Sequence, residues 1–254
     1  MKLADRVALV TGSASGIGRG IALELAGEGA NIIVADLNLD GANKVVEEIK
    51  ALGREAIAVK VDVSRGVEAN NMFKVTMERF GRIDILVNNA GGSARERASL
   101  FHQSSEEVWD YVLGINLKGV LNCSRAVINH MMERKKGVII NTASIAGLVG
   151  SPSRADYSAA KGGIIAFTKA LAKEVAEYGV RVVAVSPGVI ETPMMQHIPR
   201  AHLEELLKNV PPVGRNGKPE DIAHMVAFLA SDDASFITGH NFIVDGGAIL
   251  KAGL

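Results

Sequence analysis

"RVALVTGSASGIGRGIALELAGEGANIIVAD" runs from Arg6 to Asp36 and holds three patterns in succession. Val7 to Val10 is an unbroken apolar run, as expected of a strand buried on both faces of a parallel sheet. Ile17, Ile21, Ala22 and Leu25 then recur at helical spacing, and Gly29 stands where a helix C-cap would fall. "NIIVAD" (31–36) closes the unit as a second strand. Further short apolar runs appear at 56–62, 83–88, 137–144, 180–186 and 241–246, separated by longer helical patterns. This alternation predicts an α/β fold: one doubly wound domain over 1–254, with a seven-stranded, mostly parallel sheet. Two segments read as irregular, 91–104 and 188–212, and the second holds four of the chain's seven prolines.

Composition narrows the function. The 28 basic and 28 acidic side chains give no net charge, which argues against nucleic acid as a partner, because phosphate neutralisation needs a basic surface. One cysteine, Cys123, allows no disulfide within the chain and suits a reducing compartment. Near the N-terminus the apolar core is four residues, short of the roughly 7–15 of a signal peptide and the about 20 of a membrane span. The expectation is a cytoplasmic protein without a membrane partner. The six histidines show no close i, i+4 pair, and no metal is expected.

Gly12, Gly16 and Gly18 fall between the first strand and the first helix, in a G-x-x-x-G-x-G spacing. Glycines there let backbone N–H groups approach a pyrophosphate, which the helix N-terminus attracts. A serine-nucleophile elbow is excluded because Ala14 occupies its central position. Asp36 ends the second strand, eighteen residues after Gly18. A carboxylate there accepts hydrogen bonds from adenosine ribose hydroxyls and repels a 2′-phosphate, and Ser13, Ala14 and Ser15 offer no cation to hold one. NAD is therefore favoured over NADP; the plainer alternative is Asp36 as a strand-end or capping residue.

"ADYSAAKGG" (155–163) admits two readings. Ser158 and Lys161 form an S-x-x-K pair, but the S-D-N and K-T-G companions of such hydrolases are absent from the chain. Tyr157 and Lys161 lie at i and i+4 on a helix expected to begin near Arg154, which puts phenol and ammonium on one face. Ser144 closes the preceding strand run, a position where open α/β sheets handle ligands.

With these residues the chain resembles the short-chain dehydrogenase/reductase family from about Arg6 to Gly247. The match rests on the glycine turn, "NNAG" (88–91), Asn116 in "GINLKG", Ser144 thirteen residues before Tyr157, "YSAAK", "SPGVIETPM" (186–194) and "VDGG" (244–247). The pattern is nearest to the 3-oxoacyl-(acyl carrier protein) reductase group and its NAD-dependent relatives. The resemblance implies a Rossmann fold and hydride exchange between a secondary alcohol or ketone and a nicotinamide. Tyr157 would be the general acid/base, Ser144 would hold the substrate oxygen, and Lys161 would bind the nicotinamide ribose. Asn116 would anchor a water that relays the proton. Plain structural roles, a cap for Ser144 and a satisfied buried amide for Asn116, are the alternatives.

Bringing a phenol from its usual pKa of about 10 to neutrality needs about 4 kcal/mol of preference for phenolate, which a neighbouring ammonium and an oxidised nicotinamide favour. The implied cofactor contacts are Gly12, Ser15, Gly16, Ile17 and Gly18 in the turn, with Asp36 at the ribose. Asp62 and Val63 follow at the adenine and Asn89 and Ala90 beside the ribose. Tyr157, Lys161, Pro187, Gly188, Ile190 and Thr192 complete the set. The resemblance further implies a homotetramer built from helices 104–132 and 154–178 and from the last strand with helix 219–231.

The loop "GSARERASLFHQSS" that follows "NNAG" is about three residues longer than in the acyl reductases and carries Arg95, Arg97 and His102. It reads as a solvated loop; alternatively one arginine meets an anionic substrate group. Residues 188–212 are expected to form a lid. Met194, Met195, Ile198, Leu203 and Leu206 would be its apolar inner face, though core packing explains such a stripe equally well. The family's acyl reductases commonly use NADP, so Asp36 favours an NAD-dependent alcohol oxidiser over a thioester reductase. A non-catalytic NAD-binding regulator is the alternative from another class.

Overall fold

A computed structural model describes residues 1–193, 195 and 210–251, without the side chains of Arg95 and Lys251. The apolar runs form seven strands: β1 (Val7–Thr11), β2 (Asn31–Asp36), β3 (Ala56–Lys60), β4 (Ile85–Asn88), β5 (Gly137–Thr142), β6 (Val180–Pro187) and β7 (Asn241–Val244). They lie in the order β3-β2-β1-β4-β5-β6-β7, and every neighbouring pair is parallel.

Strand alternation sends core side chains to both faces of the sheet. Ala8, Val10, Ile32, Val34, Val87 and Ile140 join one cluster, with Ile21 and Leu25 of α1 (Gly16–Gly27), Val45 and Ile49 of α2 (Leu39–Ala51), and neighbours. Val7, Leu9, Ile33, Leu86 and Ile139 join a second, with Met72 of α3 (Gly66–Phe80), and Val127 and Met131 of α5 (Gly119–Glu133). Each fully buried aliphatic side chain contributes about 1.5–3 kcal/mol.

On the second face, α4 (Glu106–Leu113) leads into α5 through one π turn, Gly114–Lys118. The expected single helix 104–132 is thus interrupted, and Asn116 sits at the interruption. A short α6 (Ala146–Val149) precedes α7 (Ala155–Val175), and α8 (Pro219–Ala230) returns to the first face beside α1. Gly20 makes that approach possible, since a Cβ there would stand 2.9 Å from the Pro219 Cβ.

Three strands end earlier than their apolar runs. β3 stops at Lys60, so Asp62 and Val63 are in the loop beyond it. β5 stops at Thr142, which puts Ser144 two residues past the strand. β7 stops at Val244 because the Asp245 carboxylate accepts from the Gly247 and Ile249 amides and folds the chain into a turn. After β3 the chain crosses to the far side of β1. The strand order therefore reverses between β1 and β4, and the crevice at their carboxyl ends is where open α/β sheets hold ligands. Among the described residues no helix is long and apolar enough to cross a membrane.

Candidate active site

The turn after β1 is shaped by contacts that tolerate no side chain. Gly12 and Gly16 have φ of 64° and 56°, a conformation that favours glycine. A Cβ on Gly12 would stand 2.7 Å from the Ala90 Cα, and one on Gly18 would stand 2.1 Å from the Gly12 carbonyl oxygen. Asn89, one residue past β4, clamps the turn: its Nδ2 donates to the carbonyls of Thr11 and Gly12, each at 3.0 Å. The Thr11 hydroxyl accepts from the Asn89 and Ala90 amides. Ser15 caps α1 without a side-chain hydrogen bond, and no acidic residue occupies the helix's first turn. The result is a glycine cradle at a helix start, open to an anion.

Asp36 stands beside this cradle. Its Oδ2 accepts from the Ala14 amide and its Oδ1 from the Asn38 amide, both at 2.9 Å. The carboxylate therefore ties β2 to the glycine turn and keeps lone pairs for a further donor. Asp62, beyond β3, accepts from the amide and hydroxyl of Ser64 through one oxygen.

At the other end of the crevice, α7 presents Tyr157 and Lys161 one turn apart. The Lys161 Nζ lies 5.6 Å from the centroid of the Tyr157 ring and donates to the Thr142 carbonyl at 2.8 Å. Burial pushes the Lys161 ammonium down to about 8. Ser144 is half-buried, and its Oγ accepts from the Ala146 amide at 3.2 Å. Close packing of α6 on α7 holds this geometry: a Cβ on Gly147 would meet the Gly162 nitrogen at 2.6 Å.

Asn116 is fully buried behind them. Its Nδ2 donates to the carbonyls of Gly92 and Val112, while its Oδ1 has no partner among the described residues. A Cβ on Gly91 would come within 2.5 Å of that oxygen and 3.4 Å of the Lys161 Nζ, so amide oxygen and ammonium share one small space. The "NNAG" motif is anchored from beneath, because Asn88 donates to Ser124 and Asn141, and Asn141 donates to Thr168.

These elements enclose one cleft of about 600 Å³, within the range of ligand sites. Every residue expected to hold the cofactor lines it: Gly12, Ser15, Gly16, Ile17, Gly18, Asp36, Asp62, Val63, Asn89, Ala90, Tyr157, Lys161, Pro187, Gly188, Ile190 and Thr192. Ser144 lines it too, whereas Asn116 does not. Among the described residues Lys161 and Arg154 are the only basic lining groups, and both stand at the Tyr157 end. Arg19, on the turn's helix, is paired with Glu48.

Loop expectations divide. Arg97 pairs with Glu107 at 3.3 Å and lies over the Tyr111 ring, and neither Arg97 nor His102 lines the cleft. The Arg95 side chain lies outside the described part. Of the apolar inner face expected for the lid, Met195 lines the cleft; Met194, Ile198, Leu203 and Leu206 lie outside the described residues. In the sequence Arg154 marks only a helix start, yet it stands three residues before Tyr157, a spacing that puts the two on one helix face.

A crevice with a glycine cradle at one end and a buried lysine beside a tyrosine at the other defines a nucleotide-binding oxidoreductase fold. Similarity to known proteins is narrower. A family profile described as enoyl-(acyl carrier protein) reductase matches residues 12–248. The chain is 39% identical to a 3-oxoacyl-(acyl-carrier-protein) reductase FabG of Thermotoga maritima, over 98% of this chain and all of the relative. It is 42% identical, over the whole of both chains, to the (2S)-[(R)-hydroxy(phenyl)methyl]succinyl-CoA dehydrogenase subunit BbsD of Thauera aromatica. The crystal structure of gox2181 superposes with a TM-score of 0.93 at 35% identity, covering 98% of this chain and 97% of that one. The chain belongs to the short-chain dehydrogenase/reductase family and is an oxidoreductase of that family.

Proposed function

We propose that this protein interconverts a secondary alcohol and a ketone with NAD as cofactor and Tyr157 as general acid/base. The observation that carries the reading is the convergence of Ser144, Tyr157 and Lys161 on the same cleft as Asp36 and the glycine cradle. The dinucleotide, when bound, supplies the hydride acceptor or donor at its nicotinamide. Gly12, Ser15, Gly16, Ile17 and Gly18 hold its phosphates, Asp36, Asp62, Val63, Asn89 and Ala90 its adenosine half, and Pro187, Gly188, Ile190 and Thr192 the remainder. Support for NAD over NADP is the carboxylate of Asp36 together with the lack of a basic lining group near it among the described residues.

In oxidation the alcohol O–H gives its proton to the Tyr157 phenolate as the carbinol hydrogen leaves with both bonding electrons; in reduction Tyr157 returns the proton to the carbonyl oxygen. Ser144 holds that oxygen. A unit charge 5.6 Å from the ring centre is worth about 3 kcal/mol at an effective dielectric near 20, most of the about 4 kcal/mol that a neutral-pH phenolate needs. Asn116 sits where its unpartnered Oδ1 and Lys161 can hold a relay water.

A second reading, reduction of a 3-oxoacyl thioester, is favoured by the 3-oxoacyl-(acyl-carrier-protein) reductase among the relatives. We also propose a homotetramer in the cytoplasm. Exposed Tyr111, Leu113 and Leu121 on α4 and α5, and Phe228, Phe236 and Ile243 near α8 and β7, support the expected pairing surfaces, and light scattering reads the mass. Function is tested with a panel of secondary alcohols, ketones and an acetoacetyl thioester, supplied with NADH or NADPH and followed by cofactor absorbance. NAD-preferring turnover of alcohols and ketones supports the first reading, and NADPH-preferring turnover of the thioester alone supports the second. NADH binding without any turnover would leave the regulator.

A further inference from the structure

The Tyr157 end of the cleft carries a cation for which no carboxylate partner stands among the described residues. Arg154 precedes the first turn of α7, and its guanidinium carbon lies 5.8 Å from the Tyr157 ring centroid. It lines the cleft with Ser144 and Ser151, and it is half-buried. Its only side-chain hydrogen bond among the described residues is from Nη2 to the Ser151 hydroxyl, at 2.6 Å. A guanidinium has five N–H donors, so one hydroxyl leaves most of them unused.

Several other arginines are provided for differently. Arg6, Arg82, Arg97 and Arg215 each pair with a carboxylate. Arg181, also shielded from water, donates to the carbonyls of Ile237, Leu229 and Ser231. Arg154 has neither arrangement. Asp156 is near enough to favour its charge, but the Oδ1 of Asp156 accepts from the Tyr157 amide and the two residues form no ion pair. Burial acts against the guanidinium charge, a cost that a ligand anion would offset.

A planar guanidinium matches a carboxylate through two parallel hydrogen bonds, and hydrocarbon or neutral ester substrates would leave it unanswered. We infer that Arg154 binds a carboxylate of the substrate, so that the alcohol and ketone are a hydroxy acid and its oxo acid. This rests on the oxidoreductase reading above and names the substrate class of the same site. Because Arg154 and Tyr157 are one turn apart, the carboxylate lies only a few bonds from the carbon that changes oxidation state.

The test is NADH-dependent reduction of three oxo acids of increasing length, acetoacetate, levulinate and the next homologue, each against its ethyl ester. Wild type, Arg154→Gln and Arg154→Lys are compared. Wild type is expected to prefer at least one acid over its ester in kcat/KM. Arg154→Gln is expected to cut that acid-to-ester ratio by about 10- to 100-fold, the scale of a charge-assisted hydrogen bond, chiefly through KM for the acid. Arg154→Lys should retain part of the ratio. A structural fault, or an effect exerted through Tyr157, would lower acid and ester together and leave the ratio unchanged, which overturns the assignment. Wild-type preference for every ester overturns it as well, with the oxidoreductase reading intact. If none of these acids or esters is reduced while another ketone of the functional panel is, the carboxylate site is overturned with the oxidoreductase reading intact; if no compound of either panel turns over, that reading fails and the carboxylate site falls with it.

Discussion

Replacing Lys161 by methionine separates what this side chain does for the site from what it does for the fold. Lys161 is 4% exposed, and burial lowers its ammonium from 10.5 to about 8. That difference corresponds to about 3 kcal/mol disfavouring the charged form in the folded protein. At pH 7 about nine in ten molecules still carry the charge, so nearly all of the cost is present. The sign follows from proton counts. Between pH 8 and 10.5 the unfolded chain binds a proton at this position that the folded chain has released, so stability rises with pH across that window. Below about 8 the cost is constant.

Methionine removes the charge, keeps a similar chain length and forfeits the hydrogen bond to the Thr142 carbonyl, a loss of about 1–2 kcal/mol. Lys161→Met should therefore be more stable than wild type by about 1–2 kcal/mol at pH 7 and less stable by a similar amount near pH 10.5, with the two curves crossing between. Urea midpoints of the two proteins without cofactor, measured at steps from pH 7 to 10.5, read this directly. Turnover should be lost in the same variant, a stability gain at the expense of activity. A variant less stable than wild type throughout, with parallel pH curves, would show that the lysine is not held as a buried cation.

Two further outcomes follow from the cofactor end. Asp36→Ala should shift the NADPH-to-NADH ratio of kcat/KM toward NADPH by about 10-fold or more, since it removes a carboxylate beside the ribose; an unchanged ratio would mean that discrimination lies elsewhere. Gly18→Ala should destabilise the fold by about 1–3 kcal/mol and weaken NADH binding, because its Cβ would meet the Gly12 carbonyl at 2.1 Å and backbone must move; a thermal scan and a fluorescence titration check both.

What could be read from the sequence was whatever depends on neighbours along the chain. The glycine turn, Asp36 at the end of β2 and the one-turn spacing of Tyr157 and Lys161 are local patterns, and each residue lines the cleft as expected. Strand ends were less legible: Ser144 extends an apolar run, yet pairing with β6 stops at Thr142 and Val185. The π turn at Gly114–Lys118 has no periodic signature, since Asn116 looks like one more helical residue until its amide is seen bonded to Gly92 and Val112. Charge was the hardest to place. Arg97, in a loop that reads as solvated with a substrate-facing arginine only as the alternative, pairs with Glu107 ten residues away, while Arg154 shows its lack of a carboxylate among the described residues only once the cleft is assembled.

The proposed chemistry turns on the phenol of Tyr157, and Tyr157→Phe tests it with one atom removed. NADH titrated against this variant by fluorescence should give a dissociation constant within about threefold of wild type, as the glycine cradle and Asp36 are untouched, while kcat on the best substrate should fall by about 10²- to 10⁴-fold, the usual contribution of a general acid/base. Turnover retained above a few per cent, with NADH still bound, would contradict the account.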